Sequence, residues 1–137
     1  MVLTSAIGYL VALSTFVAAD MVWLGVMAPR FYRPTLGDIA ISGVNLPPAI
    51  VFYAIYPIGL LIFVISPALR SGSVMTAAVY GALFGLFTYA TYDLTNYATL
   101  RNWTLQLTVV DVAWGTILGA VTSIATVWVV SKLVSAA

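Results

Sequence analysis

Four apolar runs, near residues 3–27, 46–69, 74–100 and 105–131, limit this chain to very few folds. Each holds about 20 residues or more, enough at ~1.5 Å per residue to cross a hydrocarbon layer of ~30 Å. Lipid offers no partner to a bare backbone N–H or C=O, so only helices and closed β-barrels span it. Barrel strands are short and alternate apolar with polar side chains, and no long stretch of this chain does so. The expected fold is therefore all-α: a compact four-transmembrane-helix bundle with a long first loop, one transmembrane domain over residues 1–137. Composition agrees, since 63% of residues are hydrophobic and only 7% charged, whereas roughly half and a quarter are usual in soluble domains.

The chemistry left to such a chain is narrow. Its formal net charge of +1, with no basic run, gives no surface for neutralising phosphates, so nucleic acid is not an expected partner and the lipid bilayer is. Cysteine and histidine are both absent, so no haem, zinc site or disulfide is expected. The first run ends in VAAD, a weak likeness to a signal-peptide cleavage site. No basic residue precedes it and the run is long, so it is read as the first helix.

Between the first and second runs lies APRFYRPTLGDIAISGVN, residues 28–45, a long connection expected to hold a short interfacial helix around LGDIAISG. Asn45-Leu46-Pro47-Pro48 opens the second helix, where a missing N–H costs nothing, and Pro57 is expected to kink it. Small residues recur every four positions at Ala77, Gly81 and Gly85, and again at Gly115, Gly119 and Ser123. That spacing lets helix backbones approach closely. Trp103 and Trp128, near helix ends, fit interfacial anchors, while Tyr32 fits either an anchor or a ligand contact.

Three of the four acidic residues, Asp20, Asp93 and Asp111, fall inside the apolar runs, where a carboxylate at the helix centre costs at least ~2.5 kcal/mol. Alternating helix directions put all three roughly 10 Å below the face that bears the long connection. Tyr53 reaches the same layer from the second helix. Each aspartate has a polar or indole residue three positions on, Trp23, Asn96 and Trp114 respectively, and Tyr89, Asp93 and Asn96 form one stripe. Arg30 and Arg33 lie just outside this layer, in place to pair with the carboxylates or to clamp a headgroup. A cluster that only fixes helix arrangement is the plainer reading. Its coincidence at one depth favours a ligand-binding site built from Asp20, Asp93, Asp111, Asn96, Tyr53, Tyr89, Trp23, Trp114, Arg30 and Arg33, with the three aspartates as the ligands of any metal.

DMVWLG at 20–25, FYRPTLG at 31–37, YATYDLTNYATLRNW at 89–103 and VVDVAWGT at 109–116 together resemble a bacterial family of small four-helix membrane proteins classed as a domain of unknown function. The resemblance covers nearly the whole chain. It implies a bacterial inner (cytoplasmic) membrane and supplies no activity, substrate or catalytic residue.

Function is thus read from the residues. The first reading is a binding or transport module whose carboxylate and tyrosine cluster takes a cation or a cationic or amphiphilic small molecule. Oxygen-only ligands would suit a Mg or Ca-type ion. The alternative is a membrane enzyme that modifies a lipid or amphiphile with aspartate acid–base or metal chemistry. No D-x-x-D motif in a Gly and Arg context supports a membrane alcohol-phosphate transferase, and no Ser-His or Cys-His pair is present. A third reading is an accessory subunit of a larger membrane complex. The protein itself is expected as a monomer or small homo-oligomer.

Overall fold

Burial in this chain follows helix contacts rather than avoidance of water, because the outer faces are as apolar as the core. The computed structural model describes residues 2–135, so the amino terminus and the last two residues of the expected 1–137 unit lie outside it. No strand is found among the described residues, and four helical spans are long and apolar enough to cross a membrane: Val2–Ile39, Leu46–Ser71, Val74–Thr99 and Leu105–Ser135. Val22, Phe63, Phe87 and Val109 are among the many large apolar side chains turned outward, as contact with acyl chains requires.

The first span is α-helical over Val2–Met27 and then continues through a π-helical turn, Ala28–Tyr32, a short α-helical turn, Arg33–Leu36, and a 3-10 turn, Gly37–Ile39. Pro29 and Pro34 each remove a backbone donor here, which loosens the regular ladder and permits the wide turn. Helical structure in the connection therefore sits mainly before LGDIAISG, with only the 3-10 turn inside it. Asn102 ties this segment to the turn between the third and fourth spans by donating from Nδ2 to Leu36 O at 2.6 Å and to Asp38 Oδ1 at 2.9 Å.

The second span starts with its prolines in the first turn and carries Pro57 inside the helix. Just beyond, Leu61–Ile65 adopts a π-helical turn, a lodging of the lost hydrogen bond within the helix instead of a break. Gly72, with φ of 64°, caps the span in the left-handed region that glycine tolerates. Ser73 then caps the third span by accepting from Thr76 N–H at 3.2 Å.

The third and fourth spans meet along the small-residue stripes. A Cβ on Gly81 would strike Gly119 O and Ser123, one on Gly85 would strike Gly115 O, and one on Gly119 would strike Gly81 O. The backbones are in direct contact at these points. The first span packs on the fourth and on the second, around a core of Ala12, Phe16, Tyr56, Leu60, Val64 and Leu118. The third span's backbone comes closest to the second along Leu61–Ser71, whereas along Leu46–Leu60 the two are joined through side chains, Tyr56 reaching Thr88 and Phe84. Between these side chains a cleft remains on the side of the long connection.

Candidate carboxylate site and cleft

Asp20 leaves the first span on its buried face and is 5% exposed. It accepts from the Tyr53 hydroxyl at 2.5 Å and from Trp114 Nε1–H at 2.9 Å, so one carboxylate joins the first, second and fourth spans. On the fourth span Asp111 accepts from the Tyr32 hydroxyl at 2.5 Å, and Tyr32 in turn accepts from Trp23 Nε1–H at 2.9 Å. The Trp23 and Trp114 rings stack at 4.4 Å with planes 2° apart. Two hydrogen-bonded chains, Tyr53–Asp20–Trp114 and Trp23–Tyr32–Asp111, are thereby clasped at their indoles.

Asp93 continues the third span's stripe: Ala77, Gly81, Gly85, Tyr89 and Asp93 are successive fourth residues, as Asp111, Gly115, Gly119 and Ser123 are on the fourth span. The small residues draw the two backbones together, and the same register carries Tyr89 to the level of Asp111, with Asp93 one turn further on. Asp93 is 0% exposed, and neither of its oxygens meets an N–H or O–H donor. The acidic group that lies closest in influence is the Asp111 carboxyl of the fourth span.

Beside this network lies a cavity of about 580 Å³ lined by Pro48, Phe52, Tyr56, Thr88, Tyr89 and Tyr92. Its walls are the second and third spans. Thr88 Oγ1 donates to Phe84 O at 2.7 Å, which leaves its oxygen to accept the Tyr56 hydroxyl at 3.0 Å. Phe16 stacks behind Tyr56 at 4.6 Å. Tyr89 stands between the cleft and the fourth span: its ring covers Gly115, one helical turn from Asp111. Tyr92 packs edge-on against Trp103 at 5.5 Å.

The expected cluster thus gathers Asp20, Asp93, Asp111, Tyr53, Tyr89, Trp23 and Trp114, with several pairings changed. Each tryptophan serves the other helix's chain: Trp114 bonds Asp20 and not Asp111, while Trp23 reaches Asp111 through Tyr32. Neighbours three apart on a helix share a face but diverge outward, and a stacked indole pair sends each N–H across. Asn96 makes no hydrogen bond to Asp93, whose two oxygens have no partner. The arginines do not join: Arg33 donates to Ser42 O at 3.0 Å and Gly43 O at 3.4 Å, Arg30 is exposed, and no arginine pairs with an aspartate among the described residues. Among the described residues no group of three or more Asp, Glu, His or Cys side chains is placed to hold a metal ion. Trp103 is only 8% exposed and so packs inside, whereas Trp128, 57% exposed, faces outward.

Tyr32, Tyr56, Tyr92, Phe52, Thr88 and Pro48 were not among the site residues expected from sequence. In an unbroken α-helix Tyr32 would sit about half a turn out of phase with Trp23; the π-helical turn brings it round. The pair of prolines flanking FYR was the available signal.

Residues 5–128 match the DUF2177 family, described as a predicted membrane protein. The chain belongs to that family. No curated protein and no solved structure matches it. As a DUF2177 protein it is a membrane protein, in keeping with its four spans, and its chemistry must be argued from the cleft and the carboxylates alone.

Proposed function

We propose that this DUF2177 protein is a membrane binding module that admits an amphiphile sideways from the bilayer into the cleft between its second and third spans. The apolar part of the ligand would lie among Pro48, Phe52 and Tyr92, and a cationic head, such as an alkylammonium, would turn toward Tyr89 and the carboxylates behind it. One observation carries this reading: an aromatic cleft of about 580 Å³ is walled by Tyr89, whose ring lies over Gly115, one helical turn from Asp111. Aromatic faces and carboxylates both favour a positive charge stripped of water. An organic or monovalent cation suits the site better than a Mg or Ca-type ion, because Asp20 is already engaged by two donors and the aspartates do not converge on one point. On the sequence resemblance alone, the location that goes with this reading is a bacterial cytoplasmic membrane.

Binding of dodecylammonium to the purified protein in a neutral detergent tests the reading. Saturable binding should weaken about tenfold in Tyr89→Phe and in Asp111→Asn, the loss expected for one charge-assisted contact. Dodecanol should bind more weakly than the ammonium. Equal binding of the ammonium, the alcohol and dodecyl sulfate, unchanged by either substitution, would exclude a cation-selective site.

A second reading, catalysis on the bound amphiphile, is favoured by the buried Asp93 carboxyl, which no hydrogen bond engages and which could serve as acid or base. Lipid extracts of a deletion strain and its parent should then differ in one species; matching extracts would leave binding alone.

A further inference from the structure

The end of the bundle away from the carboxylates carries a second cavity, of about 370 Å³, lined by Thr4, Leu69, Arg70, Val130, Ser131, Val134 and Ser135. It brings together the start of the first span, the end of the second and the end of the fourth. Charge is distributed unevenly between the two ends of the molecule. Asp20 and Asp111 are engaged in the network just described, Asp93 is buried in the third span, and Asp38 bonds Asn102. All four acidic residues therefore lie at the long-connection end. Arg70 has no ionic partner among the described residues, and Lys132 is exposed on the adjacent turn of the fourth span.

The lining has the parts that a lipid phosphate needs. Arg70 supplies a planar guanidinium fork that matches two phosphate oxygens. The hydroxyls of Thr4 and Ser131 donate to no group within the described residues, while Ser135 is occupied with Ser131 O at 2.7 Å. Leu69, Val130 and Val134 supply an apolar wall beneath them, at the depth where glycerol and the first methylenes of a phospholipid lie. From this juxtaposition of an arginine without an ionic partner among the described residues, two free hydroxyls and an apolar wall, with all four acidic side chains at the other end of the bundle, we infer that the cavity is a specific site for the phosphodiester of an anionic phospholipid in that leaflet. The inference stands apart from the cleft and does not depend on what the cleft holds.

Phosphatidylcholine nanodiscs holding the full chain and a small share of pyrene-labelled phosphatidylglycerol provide the test, read as energy transfer from the protein's tryptophans. Saturable transfer is expected that unlabelled phosphatidylglycerol competes away and that excess inorganic phosphate does not. Arg70→Gln should weaken it about tenfold, Arg70→Lys should fall between Arg70→Gln and the unaltered protein, and Lys132→Gln, outside the cavity, should change it by about twofold or less. Equal losses in Arg70→Gln and Lys132→Gln would reduce the effect to general surface charge and overturn the site. Competition by inorganic phosphate as effective as by the lipid would overturn the lipid assignment. Helical circular dichroism of each variant, expected unchanged at these exposed positions, separates lost binding from lost folding.

Discussion

The third span treats its two neighbours in opposite ways. Against the fourth, Gly81, Gly85, Gly115 and Gly119 bring backbone onto backbone, leaving no room for one added methyl group. Buried hydroxyls of Thr122 and Ser123 are left without partners along this fourth-span face. Against the second span's first half the same helix is met only through side chains, and a cleft remains among Phe52, Thr88, Tyr89 and Tyr92, with the buried Tyr56 behind it. Where lipid supplies no hydrophobic drive, close van der Waals packing is what holds helices together. A small bundle can therefore leave one pair of helix backbones apart when another pair is clamped. The glycine seam holds the bundle, and the cleft is what that hold permits.

Substitutions that fill the seam should break this contrast most severely. Gly85→Leu drives a side chain into the Gly115 backbone, and a loss of about 3 kcal/mol or more is expected, at the upper end for overpacking. Graded SDS unfolding in mild detergent would measure it, and a variant as stable as the parent would mean that the seam is not what holds the spans.

The clasp between the two hydrogen-bonded chains comes next. Tyr32→Phe removes the donor to Asp111 and the acceptor for Trp23, so about 1–3 kcal/mol should be lost, with a shift in tryptophan emission as one indole loses its partner. Trp114→Phe retains an aromatic ring in the stack but loses the donor to Asp20. A smaller loss, about 1 kcal/mol, is expected in the same unfolding assay; a loss as great as for Tyr32→Phe would show that the indole matters beyond its N–H.

Smallest in stability, and most informative about the cleft, is Phe52→Ala. The side chain is 40% exposed and lines the gap, so unfolding should change by about 1 kcal/mol or less. Dodecylammonium binding should nevertheless weaken severalfold. An effect on stability alone would assign the cleft aromatics to packing.

The candidate site was legible in the sequence to an uneven degree. Depth along a helix follows directly from rise per residue, so Asp20, Asp93 and Asp111 could be brought to one layer without coordinates. Register was also legible, because four-residue spacing carries the glycine stripes into Asp93 and Asp111. Partner choice was not. Trp114 and Trp23 trade aspartates, Asn96 does not bond Asp93, and Arg33 is held by loop carbonyls. A side chain's reach depends on the rotation of each helix about its own axis, and an apolar surface facing lipid gives no amphipathic stripe from which to read that rotation.

What the residues by themselves determined is one-dimensional: four spans by their length and apolarity, the height of each carboxylate, and the stripes along which two helices touch. The folded bundle alone decided which backbones stand apart and which side chains meet across the gaps. Tyr32 shows why. Its place against Asp111 depends on a π-helical turn that re-phases the chain after Met27, and on a fourth span held at the right distance by glycines far away in sequence. Local spacing encodes neither, since both arise from the sum of packing contacts among all four helices.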